Sequence, residues 1–157
     1  MLFRSETVDL DKLDEIISVN LRAVVQCTQA VLPAMRERGY GRIVNLSSRG
    51  ALGRIGRTSY GAAKAGVVGM TRTWALEFAA EGITANVVSP GPVSTEMFLR
   101  NNAGVVDQFT RDIPMGRLGE PAEVAAAIEF LLSRDASYIT GQVVHVCGGS
   151  SVGVAPL

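Results

Sequence analysis

Arg42-Ile43-Val44-Asn45-Leu46-Ser47-Ser48, followed after a glycine-bearing loop by Ser59-Tyr60-Gly61-Ala62-Ala63-Lys64-Ala65-Gly66, is the stretch that decides the fold. The first run is short and apolar without alternation, the pattern of a strand buried on both faces. The second opens a helix predicted to run to about Ala80. Upstream, from an N-cap at Asp9, Leu13, Ile16, Ile17, Leu21, Val24, Val25 and Val31 recur at helical spacing, and Pro33 with the turn signals Gly39 and Gly41 is expected to end that helix. Downstream, Ile83 to Ser89 reads as a second strand closed by Pro90-Gly91-Pro92, and Ser94 to Leu118 as a long polar, irregular segment. Pro121, suited to a helix N1 position, opens a helix to Ser133, and Gln142 to Cys147 is a third strand followed by Gly148-Gly149. The order α-β-α-β-α-β predicts an α/β fold with a parallel sheet, in one domain spanning residues 1–157.

Composition excludes several classes of function. The 157 residues are 47% hydrophobic and 19% charged, enough apolar material for a core. Fifteen basic and fifteen acidic residues cancel, so no basic stripe favours nucleic acid or an anionic membrane surface. Charged residues interrupt the apolar runs and the N-terminus has no apolar leader, which predicts a cytoplasmic protein. Cys27 and Cys147 form no C-x-x-C and are expected to be buried free thiols. His145 has no second histidine or acidic cluster near it in sequence, so a packed imidazole is expected and no metal site.

The chemistry is concentrated at Tyr60 and Lys64. Four residues apart on a helix, they share a face, which sets an ammonium beside a phenol. A phenol ionises near pH 10, and acid–base work near neutrality asks for a shift of about three units, or about 4 kcal/mol; a neighbouring cation acts in that direction. A half-buried tyrosine and a solvated lysine are the alternative. Gly61, Ala62, Ala63, Ala65, Gly66 and Gly69 make this helix lean, a cost usually offset by close approach of another backbone. Asn20 sits on the apolar stripe between Ile16 and Val24, as a hydrogen-bonded core asparagine or as a functional one.

These residues carry a resemblance. Val19-Asn20-Leu21, Gly41 through Ser48, Tyr60-x-x-x-Lys64-Ala-Gly66, Gly82-Ile-Thr-Ala-Asn86, Pro90-Gly91-Pro-Val93-Ser-Thr95, Arg117-Leu-Gly-Glu-Pro121 and Ile139-Thr-Gly-Gln142 through Gly149 resemble, in order, the C-terminal portion of a short-chain dehydrogenase/reductase, nearest in pattern to 3-oxoacyl-ACP-reductase-like members. The resemblance implies the C-terminal part of a Rossmann-type fold, a partial doubly wound parallel sheet. It implies an NAD(P)-dependent oxidoreductase interconverting a carbonyl and a secondary alcohol by hydride transfer. Tyr60 would be the acid/base; Lys64 would hold the nicotinamide ribose and favour the tyrosinate; Ser48 would bind the substrate oxygen with Tyr60; Asn20 would hold a relay water. Pro90, Gly91, Val93 and Thr95 would contact NAD or NADP along with Tyr60 and Lys64. Ser47 is the rival of Ser48, because the spacing from Ser48 to Tyr60 is one residue shorter than the family's usual. Met97, Phe98, Leu99 and Phe109 would form an apolar lid over a small-molecule substrate. Asn101-Asn102-Ala103-Gly104 copies a family string out of its usual place and is taken as chance.

One departure stands out: no glycine-rich phosphate turn follows a first strand. The resemblance thus implies an N-terminally truncated sequence lacking the half that chooses between NAD and NADP, about 90 residues or more at about 30 per βαβ element. The Ile43 strand would then be an apolar sheet edge, and the chain should associate. A homodimer or homotetramer through the Asn20 and Tyr60 helices is expected. The competing expectation is a catalytically inactive relic that keeps this association surface.

Overall fold

The computed structural model describes residues 5–152. Three parallel strands, β1 (Gly41–Leu46), β2 (Ile83–Pro90) and β3 (Val143–Val146), lie side by side in that order. Gly41 pairs with Ile83 through to Leu46 with Val88, and Val87 to Pro90 pair with Val143 to Val146. The central strand β2 is buried from Ile83 to Ser89. Its polar Asn86 is accommodated because the side-chain amide donates to the Ile139 carbonyl (2.7 Å) and the side-chain oxygen accepts from the Gln142 N–H (3.0 Å).

Helices cover both faces of this open sheet. On one face Ile43, Ile83 and Ala85 pack with Ala75 and Phe78 of α3 (Thr58–Phe78) and with Leu32 and Met35 of α2 (Ala23–Arg38). On the other, Val44, Val88, Val144 and Val146 meet Val124, Ala127, Ile128 and Leu131 of α6 (Pro121–Leu132). The continuous apolar runs of the strands have this cause.

The first helix is less regular than its periodicity suggested. Asp9 caps α1 (Leu10–Ile17), its carboxylate accepting from the Lys12 N–H, and the chain then widens into a π-helical turn, Ser18–Arg22, before α2. Pro33 does not end the helix. It lies inside α2, at the surface, as does Gln29 four residues earlier, so the carbonyl that loses its N–H partner there is open to water. The end comes at Gly39, whose φ of 59° lets its N–H turn back to Met35 and Arg36.

Residues 94–118 are also more ordered than their polar composition implied. Two short helices, α4 (Glu96–Asn101), capped by the Thr95 hydroxyl, and α5 (Val106–Arg111), are pinned together by an edge-to-face contact of Phe98 and Phe109 at 5.1 Å. Cys27 is exposed rather than buried, since position 27 faces away from the sheet; Cys147 is buried, and both are free. His145 is exposed, not packed. Among the described residues no cluster of metal-ligating side chains exists and no helix is long and apolar enough to cross a membrane. The outer edge of β1 has no strand partner among the described residues.

Candidate active site

Parallel strands bring all three carboxyl ends to one end of the sheet, where α/β folds bind ligands. A cavity of about 640 Å³ opens there. It is lined by Ser48 just beyond β1, Tyr60 in the first turn of α3 and Pro90 to Val93 at the end of β2 and past it, together with Met97, Phe98 and Asn101 of α4, its C-cap Asn102 and Phe109 of α5. Gly91 lets the backbones of the Pro90 loop and Cys147 approach closely, since a Cβ there would stand 2.9 Å from Cys147 Cα. Val93 bridges to Gly119, and Thr95 lines the cavity while capping α4.

Ser48 and Tyr60 meet around Gly50. A Cβ on Gly50 would lie 3.3 Å from Ser48 Oγ and 3.4 Å from Tyr60 Cε1, so the serine oxygen and the phenol ring flank one glycine. Ser48 Oγ accepts the Gly50 N–H at 3.0 Å. Ser47, one residue earlier, is buried and its hydroxyl donates to the Lys64 carbonyl at 2.8 Å. It does not reach the cavity.

Lys64 Nζ lies 5.8 Å from the centre of the Tyr60 ring and donates to the Leu46 carbonyl at 3.1 Å. Phenol and ammonium therefore share the helix face that the four-residue spacing predicts. Burial pushes the Lys64 ammonium below the usual lysine range. Asn20 is half-buried in the π-helical turn, its amide donating to the Ile16 carbonyl at 3.1 Å. It neither lines the cavity nor hydrogen-bonds Lys64, although its neighbour Leu21 packs where α3 has Gly66. The lean stretch of α3 thus serves close packing at Gly61, against the Gly50 carbonyl, and at Gly66; Gly69 faces open space.

Sequence reasoning missed several cavity residues: Gly50, Pro92, Arg49, Arg54, Arg57, Asp112 and Ser150. The three arginines cluster in sequence between Ser48 and Tyr60, a local signal that the overall charge balance of zero conceals. Of the four lid residues expected, Met97, Phe98 and Phe109 line the cavity and Leu99 does not; Asn101 and Asn102 line it as well.

Fold and site together define an α/β Rossmannoid protein with a small, open parallel sheet. The family profile described as enoyl-(acyl carrier protein) reductase matches residues 4–151. The chain is 41% identical over 143 residues to Nodulation protein G of Azospirillum brasilense, covering 90% of this chain and 58% of that protein. It is 43% identical over 140 residues to the 3-oxoacyl-acyl-carrier-protein reductase FabG of Vibrio harveyi, covering 88% and 57% respectively. A solved structure of ElxO with NADP bound superposes with a TM-score of 0.90 at 32% identity, over 94% of this chain and 61% of that one. The chain belongs to the short-chain dehydrogenase/reductase family, whose members bind NAD or NADP. It spans somewhat over half the length of the relatives it matches.

Proposed function

We propose that this chain carries the proton-transfer and substrate-binding part of an NAD(P)-dependent carbonyl reductase, with Tyr60 as the acid/base. The observation that carries the reading is the convergence of the Tyr60 ring and Ser48 Oγ on one cavity with the Lys64 ammonium against the same ring. Ser48 is favoured over Ser47 by its proton. The Ser48 oxygen is occupied as an acceptor by Gly50, which leaves its O–H free to donate to a substrate oxygen, whereas the Ser47 O–H is committed to Lys64. In the reductive direction Tyr60 gives its phenolic proton to the carbonyl oxygen, Ser48 holds that oxygen as charge develops on it, and the ammonium of Lys64 stabilises the phenolate left behind.

The residues present fit a nicotinamide cofactor. Lys64, which stands behind Tyr60 and is not itself part of the cavity lining, donates one N–H to Leu46 and would offer the others to ribose hydroxyls, and Pro90, Gly91, Val93 and Thr95 line the cavity beside Tyr60. When bound, the cofactor supplies the hydride. Asn20 is proposed as the holder of a relay water, supported by its place in a π-helical turn, a distortion frequent at functional sites. Association into a homodimer or homotetramer is supported by Ala62, Ala65, Gly69 and Leu76, exposed along α3, and Cys27 and Val31, exposed on α2. Replacing Tyr60 by Phe tests the reading: carbonyl reduction falls about 10²- to 10⁴-fold while NADPH affinity stays within about twofold, the phenol oxygen being a minor part of the binding surface. An unchanged rate rejects it.

A further inference from the structure

The cavity lining carries an excess of cations. Arg49, Arg54 and Arg57 all line it, and among the described residues only one carboxylate, Asp112, lines it with them. The loop between Ser48 and α3 is shaped to gather them. Arg57 N–H closes a turn on the Arg54 carbonyl at 3.1 Å, with Gly56 at φ 72° in the position that requires a left-handed residue, so Arg54 and Arg57 occupy the two ends of one β-turn. Arg54 lies 4.9 Å from the centre of the Phe109 ring and Arg49 Nε donates to the Ser150 carbonyl at 3.0 Å, contacts that hold the two guanidiniums at the wall. None of the three arginines forms an ion pair with a described residue. Burial, with the neighbouring Arg57 and Arg49 charges, lowers the Arg54 pKa, the mark of a cation held near like charge without a full counter-charge.

We infer that Arg54 and Arg57, with Arg49 beside them, select a substrate that bears an oxyanion group, carboxylate or phosphate, remote from the carbonyl to be reduced. Planar guanidinium forks suit either group, and a partly desolvated site strengthens the pairing. The inference rests on the cavity being the substrate site proposed above.

Calorimetric titration of the full chain with three matched thioesters provides the test: 3-oxobutanoyl-pantetheine, which is neutral, its pantetheine phosphate ester, and 3-oxoadipyl-pantetheine, which carries a terminal carboxylate. At low salt at least one anionic probe binds about tenfold or more tightly than the neutral one, and the advantage shrinks with added salt. The arm that shows it tells carrier phosphate from acyl carboxylate. In the double variant Arg54→Gln, Arg57→Gln the advantage falls to within about twofold while the neutral probe binds as before. If that variant loses the neutral probe as well, the single variants Arg54→Gln and Arg57→Gln decide, a reduced anionic preference in either upholding the inference and an undiminished one in both overturning it. Equal affinities for all three probes, a preference indifferent to the arginines, or weakened NADPH binding with an unchanged probe preference each overturn it. Tyr60→Phe leaves the preference intact, which separates this outcome from failure of the acid/base reading.

Discussion

Ser47 and Ser48 are neighbours whose hydroxyl protons have different fates, and the difference predicts different losses. Ser47→Ala removes a part-buried hydrogen bond to the Lys64 carbonyl and destabilises the fold by about 0.5–1.5 kcal/mol in chemical denaturation, with kcat little changed. Ser48→Ala removes the cap on the Gly50 N–H, at a cost of about 0.5–2 kcal/mol, and lowers kcat about 10²-fold, as loss of one donor to a developing oxyanion does. Reversed outcomes would make Ser47 the substrate serine. At Lys64, burial places the ammonium's pKa below its ordinary value of 10.5. In the window between the folded value and 10.5 the unfolded chain binds more protons, so stability rises with pH there, while activity falls as the cation is lost. Lys64→Arg keeps its charge through that window and removes the rise in stability there, read from chemical denaturation at several pH values. The Tyr60 and Lys64 pair was legible in sequence because a helix fixes which face residues four apart share. The choice between Ser47 and Ser48 was not, because it turns on which carbonyl lies within reach of each hydroxyl.

The α6 helix begins with Glu120 and Glu123 in a reciprocal capping box, where Glu123 also accepts two hydrogen bonds from Arg117 at 2.7 and 2.8 Å. Those bonds draw the Glu123 carboxyl down to about 2. With its folded pKa depressed, its contribution is present above the usual carboxylate value and is lost as pH falls from 4.5 towards 2. Glu123→Gln therefore narrows the stability gap to the parent protein across that acid window, measured by thermal melts at several pH values; an unchanged gap would remove the pair from the account. At the β2 exit, Gly91→Ala drives a Cβ into the Cys147 backbone and costs about 1–3 kcal/mol. Elements that report themselves through periodicity or capping were legible: the three strands, α3 and α6 follow the predicted bounds within a few residues. The π-helical turn at Asn20 was not, since hydrophobic spacing survives one widened turn, nor were α4 and α5, whose order depends on Phe98 meeting Phe109.

At the scale of the whole molecule, one sheet edge and several apolar side chains lack cover among the described residues. Leu76 on α3 is 86% exposed, and β1 has a partner on one side only. Unpaired edges and apolar patches favour association. Size-exclusion chromatography of the parent chain is expected to show a dimer or larger species, and Leu76→Glu to shift it towards the monomer and to weaken the concentration dependence of its melting temperature. A parent chain that elutes as a monomer contradicts the proposed association surface. The α/β class and the parallel order were legible because alternation of strands and helices has few solutions; which helix faces remain open was not, because that depends on what else packs against them. The central claim is the role of Tyr60, and the most direct measurement is NADPH oxidation by the parent and the Tyr60→Phe protein with a 3-oxoacyl thioester, alongside a cofactor-binding titration. The account predicts saturable cofactor binding by both proteins and thioester-dependent oxidation by the parent alone. Equal oxidation by the two, or none by the parent despite bound cofactor, would contradict it.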